Sequence, residues 1–159
     1  MSQRKETTQY LTDLLKKDIN PHNDPRIYTA TEVTFDYYSS HPIRVDYMRF
    51  KPLDNSVGGI ERGLFYCYEI KSCKEDFESG HGLNFIGDFN YLVLPEKLYE
   101  EIKTKIPYNV GVYVPSKDWK PLHCIKKAKQ VTRNRSVAEM LLMMFRSSNR
   151  ELLKESKRK

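Results

Sequence analysis

Cysteine is scarce in this chain, with Cys67, Cys73 and Cys124 the only three in 159 residues and no two at CxxC spacing. An odd, scattered set argues against a disulfide framework or a zinc site and points to a reducing, cytoplasmic compartment. Long apolar runs are also missing. No stretch approaches the roughly 18 residues that suggest a membrane-spanning helix, so no membrane partner is expected. The opening Met1-Ser2-Gln3-Arg4-Lys5-Glu6 lacks the apolar core of a signal peptide. GxGxxG, Walker A, GxSxG and HExxH are all absent, which weakens dinucleotide-binding, NTPase, serine-hydrolase and zinc-protease readings. Internal repeats and low-complexity segments are absent too.

What remains is a charged, globular composition of 39% apolar and 30% charged residues. Its length suits one domain, expected over residues 1–153, with 154–159 as a disordered basic tail. The net charge is +6, unevenly spread. From Val114 onward there are 13 Lys and Arg against 4 Asp and Glu, whereas the first 113 residues hold 14 against 17. An acidic front beside a basic back suits a metal site next to a polyanion-binding surface; a solvated basic helix has the same composition.

The apolar spacing of Tyr10, Leu11, Leu14 and Leu15 predicts a helix from Lys5 to Asp18, ended by Asn20-Pro21. Residues 27–38, 43–51 and 63–72 read as three strands, with 54–59 a turn between the last two. Residues 73–85 are polar and broken by Gly80-His81-Gly82. Strands are expected at 91–94 and 110–114, a helix at 96–105 between them, and an edge strand within 121–131. Ser136 and Glu139 spell a capping box for a final helix whose Val137–Phe145 portion is apolar on nearly every side. Burial in the core is one explanation for that portion and a homodimer contact the other. The fold class is therefore α/β with a mixed central sheet flanked by helices.

One strand carries chemistry. In Phe65-Tyr66-Cys67-Tyr68-Glu69-Ile70-Lys71 the period of two puts Glu69 and Lys71 on the same face, and Asp46 sits on the preceding strand. Glu-x-Lys alone means little, since three such triplets occur and about one is expected by chance. Glu101-Ile-Lys103 falls in a helix, where i and i+2 diverge, and Glu155-Ser-Lys157 in the charged tail. Only Glu69 and Lys71 lie in an apolar, aromatic strand, where charge costs desolvation. Two carboxylates could hold Mg²⁺ or Mn²⁺ while Lys71 faces water or phosphate. A cross-strand salt bridge without metal would use the same three side chains.

The element order and these motifs resemble the PD-(D/E)xK nuclease superfamily, with its restriction-endonuclease-like α-β-β-β-α-β core. Arg44-Val-Asp46, Glu69-Ile-Lys71-Ser, the trailing Asp76-Phe77 and the aromatic strand ending in Pro95 are similar to the MmcB family of DNA repair proteins. The likeness spans roughly residues 27–115. It implies a metal-dependent DNA endonuclease in repair or phage DNA processing, or a catalytically inactive DNA-binding module that keeps the fold. Asp46, Glu69 and Lys71 would be catalytic, with Asp46, Glu69 and the Ile70 carbonyl holding the metal. Val45 stands where many superfamily members have Pro. Glu32 is the candidate for a further acidic ligand, with Glu6 or Asp13 behind it; an exposed strand glutamate fits Glu32 equally.

Asp76 and Asp88 flank the Gly-rich segment and could reach the site or serve as turn residues. His81 reads equally as a ligand and as an exposed loop residue. Cys73 has no neighbouring His to activate it. For DNA contact the basic candidates are Lys74, Lys126, Lys127, Lys129, Arg133 and Arg135. The last two precede the capping box, where free N–H groups favour phosphate.

Overall fold

A computed structural model describes residues 2–118 and 121–159. Helix α1 (Gln3–Ile19) starts at Ser2, whose side chain accepts from Lys5 N, and places Glu6 in its first turn and Lys16 and Lys17 in its last. Both charge placements oppose the helix dipole. Strand β1 (Tyr28–Phe35) pairs antiparallel with β2 (Ile43–Lys51), and β2 pairs antiparallel with β3 (Leu64–Ile70) across a short helix α2 (Val57–Glu61). Helix α3 (Lys74–Glu78) begins the crossover to β4 (Phe89–Val93), which lies parallel to β3. Helix α4 (Glu96–Ile102) and a 3-10 turn lead to β5 (Gly111–Pro115), parallel to β4, and β6 (Leu122–Lys126) closes the far edge antiparallel. The six strands lie side by side in sequence order.

The sheet is thus mixed and covered on both faces. Leu11, Leu14, Leu15 and Ile19 of α1 pack on Tyr47, Tyr68, Ile70, Tyr91 and Val93. On the other face, Met140 and Met144 of α5 (Val137–Arg158) pack with Val33, Phe35, Met48 and Phe65, while α4 covers Leu92 and Val112. Being sandwiched, β3 is buried at nearly every position from Phe65 onward, apart from half-buried Tyr66.

Two expectations need correction. Residues 154–158 belong to α5, so the disordered tail is helical to Arg158; Glu151, within reach of Lys154 and Arg150, balances charge along that stretch. The apolar start of α5 is not buried all round either. Met140 and Met144 face the sheet, but Leu142 and Phe145 are 58% and 63% exposed, because a helix lying on one sheet face can bury only one stripe. In the polar stretch 73–85, residues 74–78 form the short helix α3. Among the described residues no helix is long and apolar enough to cross a membrane.

The middle of the β1–β2 hairpin is kinked. Ala30, Val33 and Phe35 all join one cluster, as do Val45, Met48 and Phe50, which strict alternation forbids. The kink falls at Glu32, whose φ is +49° and which lies between the paired couples Thr31–Tyr47 and Val33–Val45. Asp46 lies opposite, between the same couples. The last paired couple of β2 and β3 at this end is Tyr47–Tyr68. Beyond it the two strands fork.

Candidate active site

The fork opens a cleft of about 870 Å³ that includes Asp46, Glu69, Ile70, Lys71 and Asp76 in its lining. Asp46 comes from the diverging part of β2, Glu69 and Ile70 from the end of β3, Lys71 from the residue after it, and Asp76 from α3. The Asp46 carboxylate is fixed by the Ile70 N–H, which donates to its Oδ2 at 2.9 Å. Glu69 and Lys71 are 7% and 2% exposed, and Lys71 Nζ lies 3.7 Å from Glu69 Oε1. The two side chains therefore meet in the cleft as their strand spacing predicts.

Asp76 reaches the same place. Its Oδ1 lies 3.7 Å from Lys71 Nζ and accepts from Arg4 of α1 at 2.6 Å. Lys71 also donates to the backbone carbonyl of His81. Its Nζ is thus held between the Glu69 and Asp76 carboxyl groups and a carbonyl.

Glu69 is the stressed member. Burial, then the Asp46 carboxylate, push its carboxyl group up to about 9, while Lys71 pulls it back only partly. Its Oε2 is buried with no hydrogen bond of ordinary geometry among the described residues, although the Asp46 side chain and backbone lie close enough to act on the carboxyl group as hydrogen-bond partners. Without further positive charge Glu69 therefore holds its proton at neutral pH. A divalent cation would displace that proton, and two carboxyl groups side by side suit one. Among the described residues no three His, Cys, Asp or Glu side chains cluster closely enough to hold a metal ion. The available donors are two carboxylates and the Ile70 carbonyl, a set that fits Mg²⁺ or Mn²⁺, which retain waters, better than a metal needing a full protein cage.

Several sequence candidates lie elsewhere. Glu32 is exposed and outside the cleft, because its positive φ sits in the kink where its carbonyl accepts from Arg150. Asp88 lies by the opposite end of β3, accepting from Phe65 N at 2.8 Å and Arg133 Nε at 2.9 Å. Arg133 and Arg135 are both engaged within the fold. Arg133 is tied to Asp88 and stacks on Phe65, and Arg135 is tied to Asp36 and Glu139. Lys126, Lys127 and Lys129 lie on or just after β6, about 14 Å from β3 at ordinary strand spacing. Lys126 donates to the Pro107 carbonyl and Lys129 sits over the Tyr108 ring. Lys74 is on α3, 3.9 Å from Glu78. Cys67 is no nucleophile, since burial pushes its thiol far up.

Sequence reasoning missed Gly82 and Arg4, and quoted Arg44 only as part of the Arg44-Val-Asp46 motif, with no role of its own. A Cβ on Gly82 would lie 1.8 Å from Glu69 Oε1, so the loop can pass over the carboxylate only because this residue is glycine. The Gly80-His81-Gly82 spelling was the available signal, but nothing in it says which side chain the loop covers. Arg44 stands two residues before Asp46 and lines the cleft.

A scan of protein-family models gave no match, and a search of curated proteins gave none. Among solved structures, a protein of unknown function from Silicibacter pomeroyi is similar, with a TM-score of 0.62 and 15% identity over 95% of this chain and 91% of that one. The likeness is one of fold alone.

Proposed function

We propose that the chain is a Mg²⁺- or Mn²⁺-dependent DNA endonuclease of the restriction-endonuclease-like type, acting in repair or phage DNA processing. The observation that carries this reading is the Glu69 carboxyl group, raised by burial and by the adjacent Asp46 carboxylate, with Lys71 Nζ 3.7 Å away. The run of an antiparallel three-stranded meander followed by a parallel fourth strand supports it.

Asp46, Glu69 and the Ile70 carbonyl would hold the cation. Once bound, it supplies positive charge for the phosphate and acidifies a bound water. The chain's own groups do the rest. Asp46 is aimed by the Ile70 N–H, so the end of β3, no longer paired with β2, sets the position of one donor. Asp76 and Glu69, each 3.7 Å from its Nζ, direct Lys71 into the cleft, where it can donate to a phosphate oxygen. The His81 carbonyl occupies one of its three donors, and an entering phosphodiester would replace that carbonyl.

That same occupancy favours a second reading, a DNA-binding module that keeps the fold without cutting. Cleavage of plasmid DNA in Mn²⁺ separates the two. The endonuclease reading expects activity from the wild type and none from Glu69→Ala or Lys71→Ala; activity surviving both substitutions overturns the site. Three free thiols fit a cytoplasmic setting. A homodimer would pair two such sites, with the exposed Leu142 and Phe145 of α5 as its contact.

A further inference from the structure

We infer that Arg44 is the residue that grips the phosphate backbone of the substrate, with Arg4, in the lining of the same cleft, as the second arm of a clamp. The inference rests on the nuclease reading and deepens it, moving anion binding from the basic C-terminal half into the cleft itself.

Arg44 is exposed and lines the cleft, and its guanidinium makes no ion pair or hydrogen bond among the described residues. Other arginines are already engaged: Arg133 by Asp88, Arg135 by Asp36, Arg150 by the Glu32 carbonyl. A guanidinium left unpaired at the mouth of a cleft that holds four carboxyl groups is poised for an external anion. Its place follows from the fold. Arg44 pairs with Thr34 across the hairpin, two residues from Asp46, in the part of β2 that has left β3. Arg4, in the first turn of α1, lines the same cleft and is held by Asp76 while remaining 56% exposed.

Charge balance gives the class of ligand. Asp46, Glu69, Glu75 and Asp76 face Arg4, Arg44 and Lys71 in the lining. With all four carboxyls ionised, one divalent cation leaves the cleft with a single positive charge, which one phosphodiester neutralises. Arg44 reads no base in this arrangement; it fixes the register of the backbone on the site.

The test is fluorescence anisotropy with a fluorescein-labelled single-stranded oligonucleotide in Ca²⁺, over a range of salt, together with cleavage in Mn²⁺. Arg44→Ala is expected to weaken binding roughly ten-fold or more, to lower the slope of log affinity against log salt by about one, and to leave the melting temperature unchanged. Arg44→Lys should recover part of the loss, and Lys97→Ala, on exposed α4, should change nothing. If Arg44→Ala binds and cuts as the wild type does, the clamp is refuted while the nuclease reading stands. If the wild type neither binds nor cuts, the nuclease reading falls and the clamp with it.

Discussion

Gly82 leaves the space that the carboxylate of Glu69 fills. A Cβ at residue 82 would come within 1.8 Å of Glu69 Oε1, and the backbone there has φ +81°. The loop that buries Glu69 and supplies a carbonyl to Lys71 is thus shaped around the site by the lack of one side chain.

Gly82→Ala is expected to expel the loop or displace Glu69, abolishing cleavage and costing about 2 kcal/mol in urea unfolding. Gly80, at φ +74°, has open space around its missing Cβ. Gly80→Ala should therefore cost only the left-handed backbone penalty, about 1 kcal/mol, and keep most activity. Equal losses at the two positions would contradict the packing argument.

The raised Glu69 sets a pH dependence of stability. Below its ordinary value near 4.5 both folded and unfolded chains carry the proton; from there to about 9 the unfolded chain ionises and the folded one does not. Its contribution to stability is full below the lower value and is lost as pH rises through the window. In metal-free buffer, the wild type should lose stability relative to Glu69→Gln from about pH 4.5 to 9. Denaturation series at several pH values would show a flat difference if Glu69 were ionised throughout.

Metal binding should release a proton for the same reason. Titration calorimetry with Mn²⁺ near neutral pH, in two buffers of different ionisation enthalpy, should report roughly one proton per ion. Apparent affinity should rise with pH until about 9. Glu69→Gln should bind weakly and release none.

Arg133 is expected to matter for folding rather than for DNA. It forms a largely buried pair with Asp88, their side chains 16% and 7% exposed. Arg133→Ala strands that carboxylate and should cost about 3 kcal/mol, read as a lower urea midpoint. Oligonucleotide affinity measured under conditions where the variant is folded should match the wild type.

Much of the framework is legible from local pattern. The Leu11–Leu15 spacing, Asn20-Pro21 and the Ser136 cap each act within a few residues, and each corresponds to an element or boundary in the structure. The pairing of Glu69 with Lys71 is legible for the same reason, because it needs only the period of a strand. The ion pairs of Arg133 and Arg135 were not legible because their partners, Asp88 and Asp36, are 45 and 99 residues away. Of the two readings of Glu32 the structure has the exposed strand residue, but a strand-like sequence does not announce its φ of +49°.

By itself, then, the sequence determined the elements and put an acid and a lysine on one face of a strand, since backbone periodicity and end capping are local. Tertiary structure alone decided that β2 and β3 part after Tyr47 and Tyr68, that the loop at Gly82 closes over Glu69, and which arginines remain unpaired. Those outcomes depend on desolvation and on contacts between distant segments, and both exist only once the sheet has assembled.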